Sequence, residues 1–192
     1  MADKKDKEEK VIPFKILNQQ EKEKFIRKLD EQFGIKEIPW KIARLGKERI
    51  IIFSGNISDK ELQIIDMFGR IEGIGLYFAK IDEHTGDIRL SIEGSQLLQN
   101  QIKKNIFELD EKQAEQWMMG QELNITTGKK GFFIMKFKND FLGTGKISES
   151  KISNFVPKPR RLKYKEEKIE LPMEYNPGLH KYEPRLPLKK LK

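Results

Sequence analysis

The segment from Gly131 to Ile147 admits few folds. Two apolar runs, Phe132 to Phe137 and Phe141 to Ile147, flank Asn139-Asp140, and strand formers on either side of a short polar turn make a β-hairpin. The second run places Gly143 and Gly145 at alternate positions, where a strand without side chains lets another backbone come close. The chain then passes through Asn154-Phe155-Val156 into Pro157-Lys158-Pro159-Arg160-Arg161. Glycines on an edge followed by guanidinium groups at its exit suit docking on RNA, the first by close approach and the second by holding phosphate.

Charge supports a polyanionic partner. The 192 residues carry a net charge of +8 and a pI near 9.4, and each neutralised phosphate releases counterions without any reading of sequence. Residues 1–10 cancel to zero and read as a charged, solvated leader. From Pro157 onward eleven basic residues face five acidic ones, leaving +6 of the total in a tail that also holds Pro157, Pro159, Pro172, Pro177, Pro184 and Pro187. Proline at that density keeps chain extended, at roughly 3 Å per residue. Tyr164, Tyr175 and Tyr182, with spaced leucines, suit anchoring along a large partner, and Tyr164, Arg185, Lys189 and Lys190 are the expected tail contacts. A merely solubilising tail is the competing reading.

With 37% hydrophobic residues the chain supports two modest units around a shared core, not one large enzyme. The absence of cysteine removes disulfides, thiolate metal sites and thiol nucleophiles together. The charged start has no signal-peptide pattern and no apolar run approaches the roughly 20 residues that span a bilayer, so the expectation is a cytoplasmic protein away from membranes. Abundant Lys, Glu and Ile are compatible with a thermophilic source.

Mixed α and β elements are expected between the tails. Asn18 to Glu21 caps a helix with Phe25, Ile26, Leu29 and Phe33 on one face and Gly34 at its stop. Strands follow at Trp40–Leu45 and Arg49–Phe53, then a helix opened by the capping box Ser58-Asp59-Lys60-Glu61. Ile71–Ile81 and Ile88–Ile92 read as a hairpin across residues 82–87, residues 94–103 as a short helix, and Asp110 to Gly120 as another.

Catalytic constellations are weak. His84 and His180 are far apart in sequence, and the acidic residues fit helix starts and a hairpin loop, so neither a metal nor an acid–base pair is expected. Gly73-x-Gly75 lacks the third glycine and the following helix of a dinucleotide site and reads as a bulge or close strand packing. Gly128-Lys129-Lys130-Gly131 lacks P-loop spacing but can touch an RNA backbone through Lys129 and Lys130. Phe132, Phe133, Phe137 and Phe141 are mostly core, as are Trp40 and Trp117.

The helix from Leu109 to Gly120, the Gly143-Thr144-Gly145 hairpin and the Asn154 to Arg161 exit together resemble the PUA-like domain at the C-terminus of Nop/Sun-type rRNA cytosine-5 methyltransferases, over roughly residues 104–163. Arg70 to Lys80 with Asp87 to Ile92 is similar to the α/β domain that precedes PUA in Nip-type ribosome-biogenesis proteins. The resemblance implies an α+β protein with a charged leader (1–10), a pre-PUA α/β domain (11–103), a small PUA-like pseudo-barrel (104–163) and an extended basic tail (164–192). It also implies docking on structured RNA, chiefly rRNA or tRNA, through Lys138, Gly143, Thr144, Gly145 and Lys146, with Lys158, Arg160, Arg161 and Lys163 holding phosphates at the exit. Those methyltransferases need a cysteine nucleophile and a separate donor-binding domain, and this sequence contains neither. The expectation is therefore a non-enzymatic RNA binder without cofactor or small-molecule substrate, a ribosomal or ribosome-assembly protein with neighbouring ribosomal proteins as further partners. Two alternatives stay open: an RNA-recognition subunit acting in trans with a modification enzyme, and a protein-interaction module with a solubilising tail.

Overall fold

A computed structural model describes residues 14–55, 58, 60, 61, 64, 75–163, 173–176, 178 and 181–184. Helix α1 (Gln19–Phe33) starts where Asn18 accepts the Glu21 N–H and the Glu21 carboxylate accepts the Asn18 N–H. This reciprocal cap satisfies two donors that helix geometry leaves without partners. Gly34 ends the helix at φ 83, a left-handed conformation that glycine adopts without steric cost. Phe25, Leu29 and Phe33 recur every fourth residue and form the buried stripe.

That stripe lies on a five-stranded antiparallel meander: β1 (Phe14–Ile16), β2 (Lys41–Leu45), β3 (Arg49–Phe53), β4 (Leu76–Ile81) and β5 (Ile88–Leu90). Alternation sends Ile42, Ile50, Ile52, Phe78, Ile88 and Leu90 into the core with α1, while Ala43, Ile51 and Phe53 pack with Phe14 and Ile16 in a separate cluster. Gly75 sits at φ 79 just before β4, and a Cβ there would lie 2.3 Å from the Ile52 carbonyl oxygen. Close strand packing thus accounts for this glycine. Ser58 and Glu61 form the expected capping box, whereas most of the helix it opens lies outside the described residues.

Helix α2 (Ile92–Leu97), capped by Ser91, follows β5 directly, two residues earlier than its sequence suggests. A second sheet then takes the order β6 (Ile106–Glu108), β7 (Gly131–Phe137), β8 (Asp140–Ile147) and β9 (Ile152–Ser153), with β6 parallel to β7 and the rest antiparallel. The sheet is a half-barrel, and among the described residues β6 does not pair with β9 to close it. Helix α3 (Glu111–Met118) begins with a capping box between Asp110 and Gln113, and Gly120 follows its end at φ 81.

The two faces of β7 serve different neighbours. Phe132 and Ile134, with Phe141, join the core built around α1, while Phe133 and Met135 pack with Trp117, Leu123, Ile152 and Val156. Asn105, at φ 51, reinforces the junction: its side chain donates to Gln32 O at 2.8 Å and its carbonyl accepts the Ile134 N–H at 2.8 Å. Both sheets belong to one compact unit ending at Leu162. Residues 163–192 form a second unit, whose described part is an antiparallel pair, β10 (Met173–Asn176) and β11 (Lys181–Pro184). The expected extended tail thus contains a hairpin, and Pro184 is accommodated because a two-stranded sheet consists only of edge strands.

Candidate nucleic-acid interface

The predicted RNA-contacting residues do not share one edge. Lys138 is exposed at the tip of the β7–β8 hairpin with φ 53, its ammonium 4.7 Å from the centre of the Phe137 ring. The turn is Lys138-Asn139, one residue earlier than expected, since Asp140 already pairs with Phe137. Lys129 and Lys130 are exposed at the other end of β7, about 25 Å from Lys138 along a strand of this length. Lys129 lies 5.4 Å from the Phe133 ring centre, and Lys130 pairs with Glu149 at 2.6 Å.

Gly143, Thr144 and Gly145, expected at an RNA-facing edge, are buried. A Cβ on Gly145 would come within 2.8 Å of Ile152 Cγ2 and 2.9 Å of Trp117 Cη2, and one on Gly143 within 3.2 Å of Ile92 Cγ1. The glycines admit α2 and Trp117 against β8, and the close backbone approach they permit is internal. Ser95 Oγ accepts the Gly143 N–H at 3.2 Å, and the Trp117 indole N–H donates to Leu142 O at 2.9 Å. Thr144 is 3% exposed, and its hydroxyl has no hydrogen-bond partner within the described protein.

The exit segment is likewise divided in role. Pro157 precedes a 3-10 turn, Lys158–Arg160. The Arg161 guanidinium packs on the bare face of Gly120, where a Cβ would meet its Nε at 2.1 Å, and that Nε donates to Val156 O at 3.0 Å. Arg161 therefore pins the turn through its Nε and its packing on Gly120. Arg160 pairs with Glu93 at 2.5 Å, while Lys158 and Lys163 are exposed and have no carboxylate partner among the described residues. Tyr164, Arg185, Lys189 and Lys190 lie outside the described residues.

A cationic row stands on the sheet face opposite α1. Arg49 pairs across β3 and β4 with Lys80, and Lys80 pairs across β4 and β5 with Arg89. Directly opposed residues share a face, so three cations stand side by side on adjacent strands. Glu48 pairs with Lys80, and among the described residues neither arginine has a carboxylate partner. The Arg89 guanidinium lies 4.0 Å over the centre of the Phe155 ring, and Phe155 meets Phe132 at 6.3 Å, with the Lys146 ammonium 5.3 Å from the Phe132 centre. The row borders a cleft of about 520 Å³ between the two sheets, whose walls include Tyr77, Phe155, Leu142 and Thr144.

Beside it, the β4–β5 loop is fixed by Asp82. Its carboxylate accepts the Thr85 and His84 N–H groups, both at 3.1 Å, with Lys146 4.0 Å away. The Thr85 backbone bond leads these influences in holding the Asp82 carboxyl below its usual range, against a smaller opposing effect of burial. The loop thereby delivers β5, and Arg89 with it, into register with Lys80.

One signal for this row was already available. A turn over residues 82–87 sets Ile81 opposite Ile88 and therefore Lys80 opposite Arg89. Arg49 was not accessible to the same reasoning, because a register shift at Ile50/Ile51 intervenes.

Residues 104–162 match the family described as the Methyltransferase RsmF PUA domain. The chain thus carries a PUA-like domain resembling the C-terminal domain of Sun/Nop-type methyltransferases, and a domain of this type indicates RNA as a partner in general. No curated protein matches the chain. No helix among the described residues is long and apolar enough to cross a membrane.

Proposed function

We propose that the protein is a non-catalytic binder of structured RNA, rRNA in the first place, acting as a cytoplasmic ribosomal or ribosome-assembly component. The PUA match over residues 104–162 carries this reading. The net charge of +8 supports it, as do exposed Lys138, Lys158 and Lys163 and the row Arg49, Lys80 and Arg89. In this reading residues 11–103 form a pre-PUA module that supplies the cation row, the 104–163 domain supplies the exit lysines, and the C-terminal residues extend the footprint over RNA or neighbouring ribosomal proteins.

The test is binding of rRNA fragments by the full chain across a salt series. Phosphate neutralisation predicts a linear fall of log K with log salt, with a slope of about −0.9 per duplex phosphate contacted. Lys158→Gln with Lys163→Gln should lower affinity across sequences and flatten the slope by about one unit per lost contact. A salt-independent affinity refutes the proposal. The methyltransferase origin of the matched domain favours a second reading, a recognition subunit working in trans with a modification enzyme. Stable association with such an enzyme and stimulation of its methyl transfer would select it, and co-sedimentation with mature ribosomes in its absence would select the first.

A further inference from the structure

The cleft between the two sheets has features that backbone docking does not use. Like charges directly opposed on neighbouring strands destabilise a sheet, and among the described residues the Arg49–Lys80–Arg89 row has one carboxylate at ion-pair distance, Glu48 on Lys80, with Asp82 and Glu83 lining the neighbouring cavity. An anion resting on the row relieves that repulsion. The adjoining wall is aromatic and apolar, with Tyr77, Phe155 and Leu142, which suits a flat uncharged group. Its cavity of about 520 Å³ falls within the roughly 300–1,000 Å³ usual for small-ligand sites. Two polar groups on the wall are engaged internally: the Trp117 indole N–H donates to Leu142 O, and Ser91 Oγ donates to Tyr77 O and accepts from Gly94 N. Thr144 differs in being buried to 3% exposure with its hydroxyl unpartnered. Its register opposite Ile134 turns it toward the five-stranded sheet, and it lines the cleft. A buried hydroxyl without a partner is costly unless something fills the role.

We infer that the cleft receives one unpaired nucleotide of an RNA strand, its phosphate on the Arg49–Lys80–Arg89 row and its base in the cleft beside Tyr77, with the Thr144 hydroxyl as a hydrogen-bond partner. Phosphate and flat base lie next to each other in a nucleotide, as do the cations and aromatics here. A hydroxyl both donates and accepts, so Thr144 does not restrict the identity of the base. The inference rests on the RNA-binding reading above and adds to it a place where a base leaves its stack.

The test compares a short single-stranded RNA with an abasic oligonucleotide of equal length and charge, each titrated against the full chain. The base-bearing strand should bind about tenfold more tightly, the scale of one stacked base. Tyr77→Ala and Thr144→Val should shrink that preference and leave abasic binding unchanged, while Arg89→Gln should weaken both. Thr144→Val is isosteric and removes an unpartnered hydroxyl, so its melting temperature should hold or rise as its base preference falls, which separates the effect from unfolding. Equal, salt-dependent binding of the two strands overturns the pocket and leaves general RNA binding standing. Failure of both to bind at low salt removes the RNA reading itself.

Discussion

Substituting Gly145 by alanine separates internal packing from contact with RNA. The backbone of Gly145 is not left-handed, so alanine is conformationally allowed and gains about 0.4–1 kcal/mol from a more restricted unfolded chain. The added methyl has no room. It would sit 2.8 Å from Ile152 Cγ2, 2.9 Å from Trp117 Cη2 and 3.3 Å from Met135 Cε, against an ordinary carbon contact of about 3.5–4.0 Å. The methionine end can move, but Ile152 Cγ2 branches one bond from its Cβ, and the fully buried Trp117 is tied through its indole N–H to Leu142 O. The cost therefore falls in the upper part of the usual overpacking range of about 1–3 kcal/mol, and the net loss is about 1–2 kcal/mol. For a unit of this size that lowers Tm by about 2–8 °C. Thermal unfolding followed by circular dichroism measures the loss, and RNA affinity well below Tm should match that of the parent protein. An unchanged Tm with a reduced RNA affinity would refute the packing argument and return Gly145 to the interface.

Arg161→Met should cost about 1–2 kcal/mol in urea unfolding, because the Val156 carbonyl loses its donor and the face of Gly120 its cover. An unchanged unfolding midpoint would count against a structural role for that guanidinium. The Asp82 carboxyl titrates lower in the folded chain than its ordinary 3.8, so its contribution is complete above that value and disappears as pH falls through the lower folded one. Hydrogen exchange at the His84 and Thr85 amides should accelerate over that acid window, and Asp82→Ala should exchange fast at neutral pH as well. Protection that persists in Asp82→Ala would show that the loop is held by other means.

Local chemistry made parts of this fold legible. The caps at Asn18/Glu21 and Asp110/Gln113 and the spacing of Phe25, Leu29 and Phe33 fix α1 and α3 within a few neighbouring residues, and the alternation of the Phe-rich runs fixes β7 and β8. The parallel pairing of β6 with β7 was not readable, since three residues, Ile106 to Glu108, find their partner only after the intervening α3 has crossed over. The brief strands β1 and β9 offer too little pattern for the same reason. Gly143 and Gly145 announce a close approach in sequence, but whether the neighbour of Gly145 is RNA or Trp117 depends on a helix that lies one strand earlier in the chain. Arg161 looks like any exposed arginine until Gly120 is seen beneath it. The cation row shows the opposite case, with Lys80 and Arg89 implied by the predicted hairpin and Arg49 joining through a bulge that no local signal reports.

The core around α1 takes Phe132, Ile134 and Phe141 from the same stretch of chain that the PUA family match covers, and that match begins only at residue 104. The boundary drawn by kinship therefore cuts through a single oily interior. Lifted out at that boundary, the PUA-like segment would show water three large side chains, each worth about 1.5–3 kcal/mol when buried. What this segment shares with methyltransferases is transferable as a pattern of residues, yet as an object it is only part of a working piece. Any graft onto another protein would have to bring, or replace, the wall that α1 and the first sheet provide.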